Sequence, residues 1–244
     1  MTELKKFMKF RENIHHFKKD DPGKEKIDQI LKDAHALVPH KNNMWGYHID
    51  VYGPEHAEEK ERVALQTVTG YDKRAFAPGG ADEDDYEKLS NIYRKWKEGR
   101  ETLRKDNSRE NQIKSAKYKG YGFNDQVNAP YLLVYYQKPG YPTEKQVSKG
   151  YKKLLIGYQD NEQWMIGASM HGYGVTLLAA EQKLHASFCK CYFHSFKNFT
   201  NILAPLNHGF HNIAFLLGIG YRDEELHYYK NKNVPDFEEI VTWK

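Results

Sequence analysis

Cationic side chains near both ends of the chain are the first candidates for chemistry. Arg11 lies close to the start of the sequence, and Lys230 and Lys232 lie shortly before its end. A phosphate group is held by cations or by backbone donors, and these donors can come from segments far apart in the chain. The three residues therefore predict a phosphate site, with a solvated charge pair as the alternative for the two lysines.

Amides and imidazoles form a second group of candidates. Asn42 and Asn43 precede a predicted strand, where they form either a turn or an amide edge that hydrogen-bonds a flat heterocycle. His15 and His16 stand between basic residues. This setting favours a basic patch over general acid–base catalysis.

A possible metal site is less favoured. His185, Cys189, Cys191 and His194 are typical zinc ligands, but their spacing differs from a C-x2-C knuckle. Buried Cys and His are also ordinary core residues. The sequence has no Walker A, G-x-G-x-x-G, H-E-x-x-H or G-x-S-x-G pattern, which argues against a Rossmann dinucleotide site and an α/β-hydrolase site.

Composition and charge argue against several classes of protein. The 244 residues include 34 aromatic ones (12 Phe, 4 Trp and 18 Tyr), too many for a disordered chain. The net charge of +4 is too small to indicate nucleic acid, and acidic residues interrupt the basic stretch at 94–119. The sequence contains no run of eighteen apolar residues, so we expect no transmembrane helix. It also lacks a long apolar stretch near its start, so a secretory signal is not expected. Two cysteines fit a reducing cytosol.

The elements that must position these residues are predicted from periodicity and turn signals. We expect an amphipathic helix over 2–10 and a helix capped by Asp20 or Asp21, with Pro22 in its first turn, that ends before Pro39. A strand over 46–52, a charged helix over 55–68, an amphipathic helix over 86–105 and a buried strand over 130–136 follow. The final elements are a helix over 162–183, a buried strand over 212–219 and an extended tail over 221–244.

Small residues are unusually frequent in the predicted helix over 162–183. They include Gly167, Gly172 and Gly174, and each glycine costs about 1 kcal/mol in a helix interior. Their number predicts that another backbone packs close to this helix. The sequence has no internal repeat and no Pro- or Ser-rich linker, which predicts one domain over 1–244 with a variable insertion at about 70–126.

Taken in order, these segments resemble the nitroreductase family of FMN-dependent oxidoreductases. The family's R-R-S-I-R-K-F motif is matched by RENIHHF at 11–17, and its P-S-S-x-N-x-Q-P-W loop by PHKNNMWGY at 39–47. The remaining matches are NAPYLLV at 128–134, AAEQKLHASFC at 179–189, GIGY at 218–221, and the pair Lys230 and Lys232 before Pro235. The set covers nearly the whole chain except 70–126.

The resemblance implies a set of flavin contacts. Arg11 matches the arginine at the phosphate and pyrimidine side, while Asn13 and His15 replace a serine and a basic residue beside it. Asn43 matches the loop asparagine that faces the isoalloxazine. Backbone near Ala186 and Ser187 would face the flavin ring, and Lys230 and Lys232 would hold the FMN phosphate. No catalytic side chain and no metal are implied.

The resemblance also implies the fold and the activity. The expected fold is α+β, with a central, mostly antiparallel sheet flanked by helices in an intertwined homodimer whose tail at 221–244 wraps the partner. NAD(P)H would reduce FMN and then be replaced by an electrophilic acceptor such as a nitroaromatic or a quinone, in ping-pong order. The predicted partners are a second copy and a small-molecule acceptor, without nucleic acid or membrane, in the cytoplasm.

Two alternatives stay open. The same scaffold supports other flavin chemistry, namely flavin fragmentation, dehalogenation or azoline oxidation, and the insertion at 70–126 would decide among them. The altered loop at 40–47 allows a non-catalytic flavin-binding or interaction protein. In the insertion, aromatic residues either stack on an aromatic acceptor or pack within the fold.

Overall fold

The fold is seen in a computed structural model of the chain. The residues that it describes are 2–40, 45–66, 69–70, 91–92, 94–98, 121–122, 124–138, 158–190, 213–225 and 235–243.

An antiparallel sheet of four strands forms the centre of the molecule, in the order β1-β4-β6-β5. Each neighbouring pair in this sheet is antiparallel. The inner strands β4 and β6 are almost entirely buried, as expected for apolar runs covered on both faces. A short pair, β2 and β3, joins the two sides of the insertion. The strands are β1 (Tyr47–Tyr52), β2 (Thr69–Gly70), β3 (Tyr121–Gly122), β4 (Tyr131–Gln137), β5 (His185–Cys189) and β6 (Ile213–Gly220).

Helices cover both faces of this sheet. The described α-helices are α1 (Glu3–Phe10), α2 (Lys24–Leu37), α3 (Ala57–Gln66), α4 (Tyr158–Glu181) and α5 (Phe237–Ile240), and short 3-10 helices lie at Pro54–His56 and Asp125–Asn128. The long helix α4 contacts α2, α1 and the strands, whereas α3 contacts the 3-10 helix at Asp125–Asn128. The architecture is therefore α+β, as the sequence predicted.

The alternating side chains of β4 divide the core in two. Tyr131, Leu133 and Tyr135 face the cluster under α2 and α4. Leu132 and Val134 face the second cluster, together with residues of α3. This alternation is the period-2 pattern of a strand that is buried on both faces.

Most predicted elements are confirmed, with two corrections at element ends. The second helix begins at Lys24 rather than at an aspartate cap, because Gly23 has a φ of 92° and precedes the helix as its N-cap. Asp21 instead accepts a hydrogen bond from the Gly23 backbone N–H at 2.8 Å. The tail, expected to be extended, contains the short helix α5.

The glycines of α4 have close neighbours within the chain itself. A Cβ on Gly172 would lie 2.7 Å from the Phe215 ring and 3.1 Å from the Phe188 ring. A Cβ on Gly174 would lie 2.2 Å from the Val38 side chain. These two glycines therefore accommodate side chains of the sheet and of the end of α2, rather than the second backbone that the sequence predicted.

Part of the insertion packs into the second cluster. Residues 91–92 and 94–98 are helical, within the helix predicted for 86–105. The Trp96 side chain is only 3% exposed and belongs to the cluster that contains Val63 and Val127. For this aromatic residue the packing interpretation is confirmed.

Candidate functional site

The segment at 11–18 extends the sheet beyond its strands. Asn13 forms a parallel bridge with Ala186 on the edge strand β5, and Phe17 forms an antiparallel bridge with Arg222 just after β6. The Lys18 backbone N–H also donates to the Tyr221 carbonyl at 2.8 Å. The candidate residues near the start of the chain are therefore fixed against the end of the sheet.

Asn13 binds the edge strand through one atom of its side chain. Its Oδ1 accepts from the Phe188 backbone N–H at 2.7 Å and from the Ser187 hydroxyl at 3.1 Å. Asn13 is itself exposed, while Ser187 is fully buried. Because Oδ1 has both acceptor positions in use, the Asn13 group available to a ligand is the Nδ2 amide, which only donates.

Gln126 binds the other backbone polar group of Phe188, its carbonyl. Its Nε2 donates to the Phe188 carbonyl at 3.4 Å, and its Oε1 lies 2.7 Å from Nδ1 of His15. The side chain is buried, at 2% exposure. We call Asn13, His15, Gln126 and the Phe188 backbone the Phe188 clamp.

Gly218 of β6 lets Gln126 reach this position. A Cβ at residue 218 would lie 2.2 Å from the Gln126 backbone carbonyl oxygen. Contacts this short do not occur, so any larger residue would push the Asp125–Asn128 helix off the sheet. The Phe188 clamp therefore depends on a glycine in the sheet as well as on its own members.

Arg11 contributes the cationic group of the region. Its backbone N–H caps the end of α1 by donating to the Phe7 carbonyl at 2.8 Å, and its guanidinium lies 5.6 Å from the ring centre of Tyr173 on α4. Within the part of the chain that the structure describes, its Nε is buried and has no hydrogen-bond partner. A buried guanidinium N–H without an acceptor costs free energy, and a ligand oxygen would remove that cost.

The carboxylate next to Arg11 is engaged by another arginine. Nη1 of Arg222 lies 2.9 Å from Oε2 of Glu12, and both side chains are mostly buried. Arg222 also contacts Glu224 at 2.9 Å. Since Glu12 has a cationic partner of its own, Arg11 keeps positive charge to offer to an anion.

A second polar region lies between α4 and the start of β1. Its histidines are hydrogen-bonded to tyrosines: His171 Nδ1 lies 3.0 Å from the Tyr135 hydroxyl, and His40 Nε2 contacts the Tyr47 hydroxyl. Trp45 stacks on His40, with ring centres 3.4 Å apart. We call this region the aromatic–histidine cluster; its members are His35, His40, Trp45, Tyr47, Tyr135 and His171.

Burial controls protonation in the aromatic–histidine cluster. Desolvation lowers the pKa of His171 to about 4, and the neighbouring imidazoles of His40 and His35 add to the effect. Desolvation also lowers the pKa of His40, and burial raises the pKa of Tyr135 well above its usual value. His171 is therefore neutral and Tyr135 protonated at pH 7.

The structure brings together only part of the predicted site. Asn13 lies against β5, where it bridges Ala186 and binds Ser187. Arg11 contacts Tyr173 of α4, and His15 contacts Gln126. Other candidates lie outside the described residues, namely Asn42, Asn43, Cys191, His194, Lys230 and Lys232. His185 and Cys189 are buried on β5, and no group of three metal-ligating side chains occurs among the described residues.

Sequence reasoning missed Gln126, β5 and the aromatic–histidine cluster. Gln126 is the last residue of the insertion at 70–126, where the sequence predicted a loop, and its contact with His15 spans 111 positions. The cluster combines residues of four separate segments. The one available signal was the repeated occurrence of His, Trp and Tyr at 35–47, which periodicity does not detect.

No protein-family model and no curated protein matches the sequence. Solved structures do match. The nitroreductase NfrA1 from Bacillus subtilis superposes with a TM-score of 0.63 at 12% identity, over 99% of this chain and 74% of that one. A nitroreductase with bound FMN from Bacteroides fragilis superposes with a TM-score of 0.58 at 14% identity, over 100% of both chains.

The chain has the nitroreductase fold. A third structure agrees: the FMN- and NADPH-dependent nitroreductase NfnB from a Sphigopyxis strain matches over 100% of this chain and 99% of its own, with a TM-score of 0.57 at 15% identity. The fold predicted from the ordered motifs is thus confirmed. Among the described residues, no helix is long and apolar enough to span a membrane.

Proposed function

We propose that this chain is an FMN-dependent oxidoreductase that uses NAD(P)H to reduce an electrophilic acceptor. The observation that carries the proposal is Arg11: a cation whose buried Nε has no hydrogen-bond partner among the described residues, beside an exposed amide and an imidazole. The proposal is further supported by the nitroreductase fold, since a solved protein of that fold binds FMN.

The donor set fits a flavin. FMN carries a phosphate dianion and a ring system whose pyrimidine edge has carbonyl acceptors. Arg11 would supply charge to the phosphate and pyrimidine side, and Asn13 would donate from Nδ2 because its Oδ1 is committed to Ser187 and Phe188. His15 follows Asn13 by two residues and lies 2.7 Å from Gln126 through its Nδ1. Asn43, Lys230, Lys232 and the backbone near Ala186 and Ser187 complete the proposed contacts.

The chemistry belongs to the cofactor. Bound FMN would supply hydride acceptance from NAD(P)H and electron delivery to the acceptor, in ping-pong order. The chain's own residues bind and orient: Arg11 neutralises charge, the Phe188 clamp fixes the edge strand, and the Arg222–Glu12 ion pair keeps the adjacent carboxylate away from the anion. No side chain is assigned a covalent role.

The test is an absorbance spectrum of the purified protein, taken before and after addition of FMN and removal of the excess. We expect flavin bands that stay with the protein and bleach when NADH or NADPH is added without oxygen. A protein that retains no flavin would contradict the proposal and favour a non-catalytic interaction protein. Retained flavin that neither nucleotide bleaches would favour the alternative flavin chemistries.

We further propose that the protein is a homodimer that forms through α4 and α1. Ile166, Met170 and Tyr173 are exposed at helical spacing along one stripe of α4, at 43%, 38% and 39%. The neighbouring helix α1 exposes Leu4 and Met8. A contiguous apolar surface of this kind marks an interaction site, and a self-complementary stripe suits a two-fold axis.

Light scattering tests the homodimer with one matched pair of variants. The wild type is expected at twice the chain mass of 28.6 kDa. Met170→Glu places a charge in the proposed interface and should yield the monomer. Leu37→Glu changes an apolar residue of α2 that is 71% exposed, and it should leave the dimer intact if the interface is confined to α4 and α1. A monomeric wild type would refute this assembly.

The domain organisation and location belong to the same proposal. One domain spans 1–244, the insertion at 70–126 shapes the acceptor side, and the tail at 221–244 reaches the second copy. A cytoplasmic location agrees with the count of two cysteines in 244 residues, which is typical of proteins in a reducing compartment. Limited proteolysis that releases two stable fragments would contradict the single domain.

A further inference from the structure

The main chain at Arg11 is fixed on both sides. Its backbone N–H caps α1 through the Phe7 carbonyl, and the preceding Phe10 packs on the buried ring of His185, with ring centres 4.4 Å apart. Two residues after Arg11, Asn13 forms its bridge to β5. Since the backbone is held in this way, the position of the guanidinium depends on the contacts of the Arg11 side chain itself.

The Arg11 guanidinium lies over the ring of Tyr173, with its central carbon 5.6 Å from the ring centre. A cation at this distance is attracted by the negative face of an aromatic ring. The attraction uses the charge of the guanidinium and none of its N–H donors. Among the described residues the buried Nε of Arg11 has no hydrogen-bond partner. The ring therefore holds the side chain and leaves this donor available to a ligand.

Tyr173 stands on an element that is firmly packed. It lies within the long helix α4, and its backbone carbonyl accepts a hydrogen bond from the buried Thr176 hydroxyl at 2.7 Å. A Cβ on the neighbouring Gly172 would lie 2.7 Å from the Phe215 ring, so α4 is in close contact with the sheet at this point. The Tyr173 ring is 39% exposed, so we expect the chain to fold without it.

We propose that Tyr173 is a positioning residue whose ring holds the Arg11 guanidinium ready for the flavin phosphate. The inference deepens the proposed function, on which it rests for the identity of the ligand as FMN. A mobile arginine side chain must be ordered when it binds an anion, and the ring reduces that cost by ordering the side chain beforehand. Because Tyr173 acts through Arg11, it should favour FMN, which carries the phosphate, over riboflavin, which does not.

The first experiment measures the FMN and riboflavin affinities of wild type, Tyr173→Leu and Tyr173→Phe by quenching of flavin fluorescence. Tyr173→Leu removes the ring but keeps an apolar side chain. We expect it to weaken FMN binding by about three- to tenfold, the cost of ordering one side chain, and to leave riboflavin binding nearly unchanged. Tyr173→Phe keeps the ring and should bind FMN like the wild type. An unchanged FMN affinity of Tyr173→Leu, or equal losses for both flavins, would overturn the role of Tyr173.

The same titrations with Arg11→Met and with the double variant Arg11→Met/Tyr173→Leu show whether the ring acts through Arg11. Once Arg11 is gone, loss of the ring should not weaken FMN binding further. Two losses that multiply would mean that Tyr173 acts independently of Arg11, which would overturn the proposal. Light scattering accompanies each titration, because Tyr173 also belongs to the stripe of α4 proposed as the dimer interface. A monomeric Tyr173→Leu would assign its loss of affinity to assembly and not to positioning.

NMR of the flavin-free full chain labelled with ¹⁵N-arginine separates this inference from the proposed function. The Nε–H signal of Arg11 is identified by its absence in Arg11→Met. Its order parameter should be high in wild type and Tyr173→Phe and should fall in Tyr173→Leu. An equal order parameter in wild type and Tyr173→Leu would overturn the positioning role even if FMN binds. A wild type that binds no FMN contradicts the proposed function, while these spectra still decide whether Tyr173 holds the Arg11 side chain.

Discussion

The Phe188 clamp and the aromatic–histidine cluster are both polar regions on one sheet, but they are built differently. In the clamp, side-chain amides bind the backbone N–H and the backbone carbonyl of Phe188, and the neighbouring Arg11 has a buried Nε without a partner among the described residues. In the cluster, histidines bind tyrosine hydroxyls and stack on aromatic rings. The comparison indicates that a ligand binds at the unsatisfied donor, which is the Nε of Arg11.

Removing the acceptor of the Phe188 clamp should have the largest effect on stability. Asn13→Ala leaves the buried Ser187 hydroxyl and the Phe188 N–H without their shared acceptor, which should lower the free energy of unfolding by about 2–4 kcal/mol. Asn13→Asp keeps the acceptor oxygen and is the control. Urea unfolding monitored by circular dichroism gives the free energy of unfolding of both variants. Equal stability of Asn13→Ala and wild type would show that the clamp hydrogen bonds do not stabilise the fold.

Acid should weaken the aromatic–histidine cluster. The unfolded chain protonates His171 near pH 6.5, whereas the folded chain does so only at a pKa of about 4. Stability is therefore fully present above pH 6.5 and falls as the pH drops toward 4, by about 3 kcal/mol. The neighbouring imidazoles of His40 and His35 contribute to this lowering of the His171 pKa.

His171→Gln is the matched variant for this acid dependence. Its amide retains a polar partner for the Tyr135 hydroxyl but does not titrate, so the slope of stability between pH 6.5 and 4 should flatten. Urea unfolding at pH 7 and at pH 5 gives the comparison. An identical slope in the variant would show that the acid sensitivity arises outside the cluster.

Gly172 connects the two regions and should not tolerate a side chain. A Cβ there meets the rings of Phe215, which stacks on Tyr135 of the cluster, and of Phe188 in the clamp strand. Gly172→Ala should cost about 1–2 kcal/mol, since overpacking outweighs the gain in helix propensity. Gly53→Ala meets only the mobile end of the Glu55 side chain and is expected to be nearly neutral. Similar melting temperatures for both variants would argue against this packing.

The sequence predicted the parts of these regions that depend on local patterns and missed those that depend on contacts between residues distant in sequence. The apolar runs of β4 and β6 are local patterns, and the structure confirms both strands, as it confirms the helix predicted over 162–183 within α4. The five residues of β5, HASFC, neither alternate nor form a continuous apolar run, so no periodicity marked the strand. The order of the motifs predicted Arg11, Asn13 and His15 as candidate site residues. The contact of Gln126 with Phe188 depends on the fold, so no local pattern in the sequence indicated it.

Arg11 should matter least for stability of all these residues. Its Nε has no hydrogen-bond partner within the described part of the chain, so Arg11→Met keeps the apolar stem and should change the free energy of unfolding by less than about 1 kcal/mol. Thermal unfolding without flavin measures this. A large loss of stability would show that Arg11 serves the fold rather than a ligand.

The central claim is that Arg11 forms part of a flavin phosphate site, and an FMN titration of wild type and Arg11→Met tests it most directly. Fluorescence quenching of FMN gives both dissociation constants, with riboflavin, which lacks the phosphate, as the comparison ligand. The account predicts that Arg11→Met weakens FMN binding by about tenfold or more and affects riboflavin much less. Equal FMN affinity of the two proteins would contradict it.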